Sequence, residues 1–380
     1  MRKLIRIIKN YIKKVIFKLL PIKKIIFFES VPNVSDNSKA VFDEMVKMGL
    51  NKKYKMVWRV DGEYIPKTII KNVEYINCKT KSGARKLKYY SLVSKCLISC
   101  NSTIGTMKKG QYSIFLSHGT NLKRTRDYYT IPNNIDNFVV SGEGVKQMMS
   151  YQLKYDVNKM VALGFPRNDV LTQPAKPIKH LFNVDYDKVI VWYPTYRQHR
   201  NGSTTGVENP LPTIHNQETA IKLNSHAKKS NILIVLKPHF VQDVSYVKDL
   251  NLSNIIFIND EFFVKNEISS YEFIASCDAL ITDYSSIYYD YTLCDKPIGV
   301  IWEDINEYRN KPGLIDEFDD WMIGAEKLYT IDDFCDFIDR VKRGQDLLRN
   351  ERNKIRDIAC VSVKGDNSKR VVDFILDKIE

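Results

Sequence analysis

The chain has 380 residues, of which 44% are hydrophobic and 27% charged, ordinary fractions for a globular protein long enough to bury a sizeable core. Its formal net charge of +13 implies an anionic partner, whether nucleic acid, anionic lipid or a phosphorylated substrate. Seven cysteines, an odd number scattered mostly through apolar runs, exclude a disulfide framework and read as reduced core residues of a cytoplasmic protein.

Arg2, Lys3, Arg6, Lys9, Lys13, Lys14, Lys18, Lys23 and Lys24 all precede the first acid, Glu29. Between them Leu4, Ile5, Ile8, Ile12, Val15, Ile16 and Leu19 recur at helical spacing up to Pro21, giving an apolar stripe with a cationic back. Residues 1–24 are therefore expected to form a basic amphipathic helix that docks on an anionic membrane surface. A helix packed on the protein's own surface, or a basic arm on nucleic acid, has the same pattern. Lysines interrupt every apolar run before it reaches bilayer length, so the segment does not span, and it lacks the cleavage site of a signal peptide.

Beyond the arm, 24–30 reads as a strand and 36–48 as a helix, and β-type runs recur at 54–60, 73–76, 95–99, 112–116, 137–140 and 160–163. Pro174, Pro177 and the polar stretch to Asp187 mark a crossing, after which strands are expected at 189–193, 232–236, 255–258, 279–281 and 298–301 before the chain closes in charged helical segments. Strands alternating with helices predict parallel sheets covered on both faces. The expected organisation is two α/β units, 25–175 and 176–380, with a cleft between them.

Polar clusters follow the strand ends, where open α/β sheets bind ligands. Ser117, His118, Gly119, Thr120, Asn121, Leu122 and Lys123 follow the run at 112–116. Gly119 permits close backbone approach, and His118 is the candidate general base because imidazole titrates near operating pH; a single strand-end histidine also serves as a structural residue. Gly164, Pro166, Arg167 and Asp169 follow 160–163, Thr195 and Arg197 follow 189–193, and Lys237, Pro238 and His239 follow 232–236. The rigid fork of arginine suits phosphate or carboxylate. After 279–281, Thr282, Asp283, Tyr284, Ser285 and Ser286 lead into a helical pattern that ends at Lys296 and Pro297. Two hydroxyls beside first-turn amides suit a phosphate there, although a serine that only caps a helix needs no ligand. No acidic cluster marks a metal site; Asp283 is a lone candidate, so no metal is assigned and a divalent-ion requirement is left open.

In order, HGTNLK (118–123), GFPRND (164–169), YPTYR (193–197), LKPH (236–239) and ITDYSS with a downstream DKP (281–286, 295–297) form a series that resembles the CDP-glycerol glycerophosphotransferase family of teichoic acid and capsule polymer synthesis. The stretch Gly365 to Arg370 is similar to that family's closing Asp-Gly-plus-Ser region, with Gly and Asp exchanged. The resemblance implies a GT-B architecture of two Rossmann-type parallel-sheet domains, peripheral attachment to the cytoplasmic face of the cell membrane, and a CDP-glycerol or CDP-ribitol donor. It also implies a lipid-linked glycan acceptor, with CMP as the leaving group. Carried over by motif, His118 would be the general base and His239 a second catalytic residue. Arg197, Lys237, Thr282, Asp283, Ser285 and Ser286 would bind or shape the donor phosphate site, and Gly119, Lys123, Arg167 and Thr195 are further substrate-binding candidates. The short portion before the first unit favours a compact primase or short-chain transferase over a large polymerase.

Two other readings stand beside this one. A GT-B glycosyltransferase with a sugar-nucleotide donor would use the same phosphate-binding turn, and a non-enzymatic basic protein would bind membrane or nucleic acid. No zinc finger, helix-turn-helix or aromatic RNA-binding signature supports the last, so no nucleic acid partner is expected. The sequence does not choose between alditols and carries no reading of oligomeric state.

Overall fold

A computed structural model of the chain describes residues 19–195, 197, 211–239, 242, 244–248, 250–311, 313–361 and 364–380. The expected arm helix, with Arg2, Lys3, Arg6, Lys9, Lys13, Lys14 and Lys18, lies outside the described residues. Lys23, expected in the arm, instead opens the first strand, and Lys24, given to both the arm and the strand at 24–30, stands in that strand. Among the described residues no helix is long and apolar enough to cross a membrane.

Seven strands, β1 (Lys23–Glu29), β2 (Lys55–Val60), β3 (Val73–Asn77), β4 (Ser94–Ser99), β5 (Tyr112–Phe115), β6 (Asn137–Val140) and β7 (Met160–Ala162), form one all-parallel sheet. Its order is β3-β2-β1-β4-β5-β6-β7. Period-2 alternation divides its side chains between two cores. Ile26, Phe28, Met56 and Trp58 face the helices Asp36–Lys47 and Asn367–Ile379, whereas Ile25, Phe27, Val57 and Leu97 face the helix Lys81–Val93. Such two-sided cover is what a parallel sheet requires. Phe28 and Trp58 stack at 5.0 Å between centroids across the neighbouring strands β1 and β2.

The second sheet, also parallel, runs β10-β9-β8-β11-β12-β13, from β8 (Lys188–Trp192), β9 (Ile232–Leu236), β10 (Ile255–Phe257), β11 (Ala279–Thr282), β12 (Ile298–Ile301) and β13 (Glu326–Leu328). One face of its core packs Ile190, Trp192, Ile234 and Ile281 against helices Gln217–Lys229 and Ile331–Lys342 through Leu223, Phe334 and Phe337. Both helices begin with capping boxes, at Asn216 and Thr330, which satisfy amides that a helix start leaves unpaired.

The unit boundaries differ from the expected 25–175 and 176–380. By contacts, the first unit comprises the chain up to His118, Tyr129–Asp169 and Asp366–Glu380, and the second comprises Gly119–Tyr128 and Val170–Gly365. The last helix, Asn367–Ile379, thus belongs to the first unit. Its buried stripe of Val371, Val372 and Ile375 contributes about 1.5 kcal/mol or more per side chain. The carboxylate of Asp169 accepts from the backbone N–H groups of Asn367 and Ser368, each at 2.8 Å. Burial raises the pKa of Asp169 by more than these hydrogen bonds lower it. At Gly164, φ is +80° and an added Cβ would stand 2.1 Å from Asn367 Oδ1, so only glycine fits. The closing stretch that resembles a family motif is therefore tied to GFPRND by structural bonds.

Candidate active site

In the first unit β5 delivers Ser113 to Phe115 into the core and releases the chain at Leu116. Ser117 takes a left-handed φ of +56°, a conformation costing a non-glycine residue about 1 kcal/mol or more, and His118 follows, exposed. Two side chains hold this turn. Asn37, fully buried, donates from Nδ2 to the carbonyls of Ser117 at 2.9 Å and Leu116 at 3.3 Å. Arg167 donates from Nη2 to the His118 carbonyl at 2.7 Å while its Nη1 meets Asp36 Oδ1 at 2.7 Å. The Arg167 backbone N–H donates to Asn37 Oδ1 at 3.0 Å, which closes the network. The ring Nδ1 of His118 lies 3.4 Å from the Cys100 carbonyl. Since a carbonyl only accepts, this favours the tautomer protonated at Nδ1 and leaves Nε2 with the lone pair a general base needs.

Arg167 was expected to meet substrate. With side-chain exposures of 11% for Arg167 and 13% for Asp36, both terminal nitrogens of its fork are engaged inside the unit, one of them on the backbone of the His118 turn. Asp36 and Asn37 were not singled out from the sequence. Their only local signal is the start of a helix, and nothing in the chain order ties them to residues 117 and 167.

In the second unit the exits of β8, β11 and β12 are joined by a buried ion-pair knot. Arg197, 0% exposed, donates from Nη1 to Asp283 Oδ2 at 2.9 Å and from Nε to Asp304 Oδ2 at 2.6 Å. Burial opposes its charge, but Asp283 and Asp304 outweigh burial and raise its pKa. Tyr284 donates its hydroxyl to Asp304 Oδ1 at 2.8 Å, and the guanidinium lies 5.2 Å from the Tyr284 ring centroid and 4.9 Å from that of Tyr308. Asp283 also accepts from the Thr195 N–H at 2.9 Å and the Thr195 hydroxyl at 3.1 Å, and the buried Thr282 hydroxyl donates to the Tyr193 carbonyl at 2.8 Å.

These bonds correct two expectations. Arg197 was assigned to the donor phosphates, but its charge is neutralised inside the fold by two carboxylates. Asp283, the lone metal candidate, is held by Thr195 and Arg197. Thr282 and Asp283 make these bonds within the turn itself. Asp304, the second carboxylate of the knot, was missed because it lies 107 residues from Arg197 along the chain.

What remains at the carboxyl edge of this sheet is accessible and polar. Ser285 and Ser286 are half-buried at the start of a short helix, Ile287–Tyr291, and the Ser286 side chain makes no capping bond. Lys237 and His239 leave β9, both half-buried; Lys237 Nζ sits 3.0 Å from Asp260 Oδ1 and 5.8 Å from the centroid of the Tyr193 ring. The His239 carbonyl accepts from the Gln242 N–H at 2.8 Å, and Gln242 Oε1 accepts from the Arg197 N–H at 2.7 Å, so the loop after β9 is anchored to the same knot. Since β9, β8 and β11 are adjacent, Lys237, Thr195 and the serine pair are spread over about 10 Å of sheet edge, a span suited to a diphosphate. Gly119 and Lys123 belong by contacts to this second unit; both are half-buried, and the Lys123 ammonium is 5.6 Å from the Tyr308 ring centroid. Among the described residues no group of three or more His, Cys, Asp or Glu side chains forms a metal cluster.

Known proteins give this arrangement a context. The chain is 23% identical to a teichoic acid poly(glycerol phosphate) polymerase of Bacillus spizizenii, with 96% of each chain covered. It is 27% identical to a teichoic acid glycerol-phosphate transferase of Staphylococcus aureus, over 80% of this chain and 83% of that one. It spans 58% of the length of a B. spizizenii poly(ribitol-phosphate) polymerase and 49% of a Bacillus subtilis glycerol-phosphate primase. The wall teichoic acid polymerase TagF superimposes with a TM-score of 0.72 at 21% identity, covering 100% of this chain and 97% of that one. A UDP-N-acetylglucosamine 2-epimerase from Listeria monocytogenes superimposes at 0.56 with 11% identity, covering 94% and 97%, so the two-sheet fold extends beyond the transferases. Residues 12–377 match one family over nearly the whole chain, and the chain belongs to the CDP-glycerol:poly(glycerophosphate) glycerophosphotransferase family.

Proposed function

We propose that the protein transfers an alditol phosphate, glycerol phosphate in the first instance, from its CDP-linked donor to a hydroxyl of a lipid-linked glycan acceptor in teichoic acid or capsular polymer synthesis. The observation that carries this reading is the His118 turn: a strained strand exit, pinned by Asn37 and Arg167, that leaves one imidazole exposed with its Nε2 lone pair available. Stored strain at a pinned turn is characteristic of functional sites.

In the proposed reaction His118 Nε2 accepts the proton of the acceptor hydroxyl as its oxygen attacks the donor's alditol-bearing phosphorus in line. The new bond is the P–O bond of a phosphodiester. The bond that breaks joins that phosphorus to the bridging oxygen, which departs with its electron pair as part of CMP. Lys237, His239, Ser285 and Ser286 hold the diphosphate and stabilise charge on the leaving oxygens, so the rate comes from positioning and electrostatics. The enzyme works on the cytoplasmic side of the membrane that carries its acceptor.

The test is CMP release from CDP-glycerol and from CDP-ribitol with a lipid-linked acceptor. Acceptor-dependent CMP from one donor, reduced by about 10²-fold or more in His118→Ala, is the expected result and names the alditol. UDP or GDP release from a nucleotide sugar, with no CMP from either donor, would replace this reading with glycosyl transfer.

A further inference from the structure

We infer that the edge of the first sheet opposite His118, where its strands begin, is itself a docking surface for an anionic lipid bilayer. Because the seven strands are parallel, their amino ends share one edge. Five neighbouring strands, in the order β3-β2-β1-β4-β5, each bring one lysine to it: Lys71, Lys52, Lys24, Lys95 and Lys109. Lys95 is half-buried, the other four are exposed, and all five are without an ion-pair partner among the described residues. At the usual strand spacing the row is about 20 Å long. Of the nearby carboxylates, Glu74 is paired with Lys55 and Lys86 and Glu380 with Lys53, while Asp136, before β6, accepts from the Ser113 N–H and hydroxyl.

Apolar side chains interleave with this row. Ile69 is 93% exposed just before β3, Leu19 is 76% exposed just before β1, and Met107 and Met48 are exposed before β5 and β2. The segments that carry them are fastened together: Asn72 Nδ2 donates to the Asn51 carbonyl at 3.0 Å, Asn51 Nδ2 to the Lys71 carbonyl at 3.2 Å, and Lys108 Nζ to the Leu20 carbonyl. Lys23 Nζ donates to the Tyr89 hydroxyl at 2.6 Å. A fixed surface with lysines and large apolar tips side by side suits a headgroup layer above acyl chains. Nucleic acid would match the charge but leave Ile69, Leu19 and Met107 in water.

This inference goes beyond the proposed transfer and rests on it only for the whereabouts of the acceptor. The seven residues from Tyr112 to His118 rise about 3.3 Å each. The His118 turn would then stand about 20 Å from the headgroups, favouring acceptors that already carry an extended glycan.

The test uses the full chain and vesicles of phosphatidylcholine with or without phosphatidylglycerol. K24Q/K52Q/K71Q/K109Q is expected to lower partitioning onto phosphatidylglycerol vesicles by several hundredfold, at about fivefold per lysine, whereas removing four exposed second-unit lysines, K228Q/K265Q/K342Q/K354Q, leaves it unchanged. In Ile69→Trp, with Trp58, Trp192 and Trp302 buried and Trp321 half-buried in the second unit, emission should shift blue relative to the wild type on binding and be quenched by brominated lipid, while that of Ile358→Trp should not. Equal binding of both quadruple variants, absence of wild-type binding, or an unquenched indole in Ile69→Trp would overturn the inference. CMP release in detergent with the same variants reports the transfer separately: retained release with lost vesicle binding supports docking, and absent wild-type release counts against the proposed reaction and leaves the vesicle result to be read alone.

Discussion

Replacing Arg167 with lysine keeps the positive charge but removes the fork. A single ammonium cannot serve both Asp36 Oδ1 and the His118 carbonyl, each 2.7 Å from a different guanidinium nitrogen. Losing one charge-assisted hydrogen bond to the His118 turn costs about 2 kcal/mol, or roughly a thirtyfold fall in the occupancy of the pinned geometry. Asn37 keeps its bonds to Leu116 and Ser117, so the turn loosens without being lost. The expected outcome is a fall in kcat of about ten- to thirtyfold for Arg167→Lys and at least as much for Arg167→Ala. KM for CDP-glycerol should stay unchanged. The assay is steady-state CMP release across pH. A rise in KM for the donor with kcat intact would refute the positioning role and return Arg167 to the substrate contact its sequence context suggests; unchanged kinetics would refute both.

Arg197→Ala would leave Asp283 and Asp304 without their buried cation and is expected to destabilise the protein by about 3 to 5 kcal/mol in urea unfolding, whereas Lys237→Ala changes stability by about 0.5 kcal/mol or less and raises KM for CDP-glycerol. Gly164→Ala forces a Cβ toward Asn367 Oδ1 at a φ of +80°, so the last helix should exchange its amide hydrogens faster, while exchange in Gln217–Lys229 stays as in the wild type. At Glu74 burial pushes the carboxyl up, but Lys55, Lys86 and Tyr90 outweigh it and bring the pKa from 4.5 to about 2. Between those values the unfolded state binds the proton and the folded state does not, so the stabilisation is full above about pH 5 and fades as pH falls through about 2. Glu74→Gln should flatten that part of the stability profile; an unaltered acid slope would refute the pairing.

The strands were legible because each carries its own burial requirement: runs such as Ile232–Leu236 and Ile298–Ile301 are apolar throughout, as a strand covered on both faces must be. Glu326–Leu328 is an edge strand of three residues, only Leu328 of which is buried, so no apolar run announced it. Site residues divided along a different line. His118, Lys237, Ser285 and Ser286 were chosen because strand exits in a parallel sheet are the places where side chains reach ligands, a rule that acts locally. The same rule misassigned Arg197 and Arg167, because an arginine at a strand exit reads alike whether it faces a phosphate or a carboxylate of its own chain. The partners that decide are 86 and 107 residues from Arg197 and 131 from Arg167, separations that only the fold closes. For the same reason the last helix was given to the wrong unit, since its cap, Asp169, is 198 residues before Asn367. The arginine charges were read correctly as anion-seeking; what the fold adds is that the protein supplies those anions itself. Lys237 also has a carboxylate neighbour, Asp260 at 3.0 Å, but one that is 62% exposed, so in the proposed reaction a diphosphate can compete for that ammonium where it cannot for the buried Arg197 guanidinium.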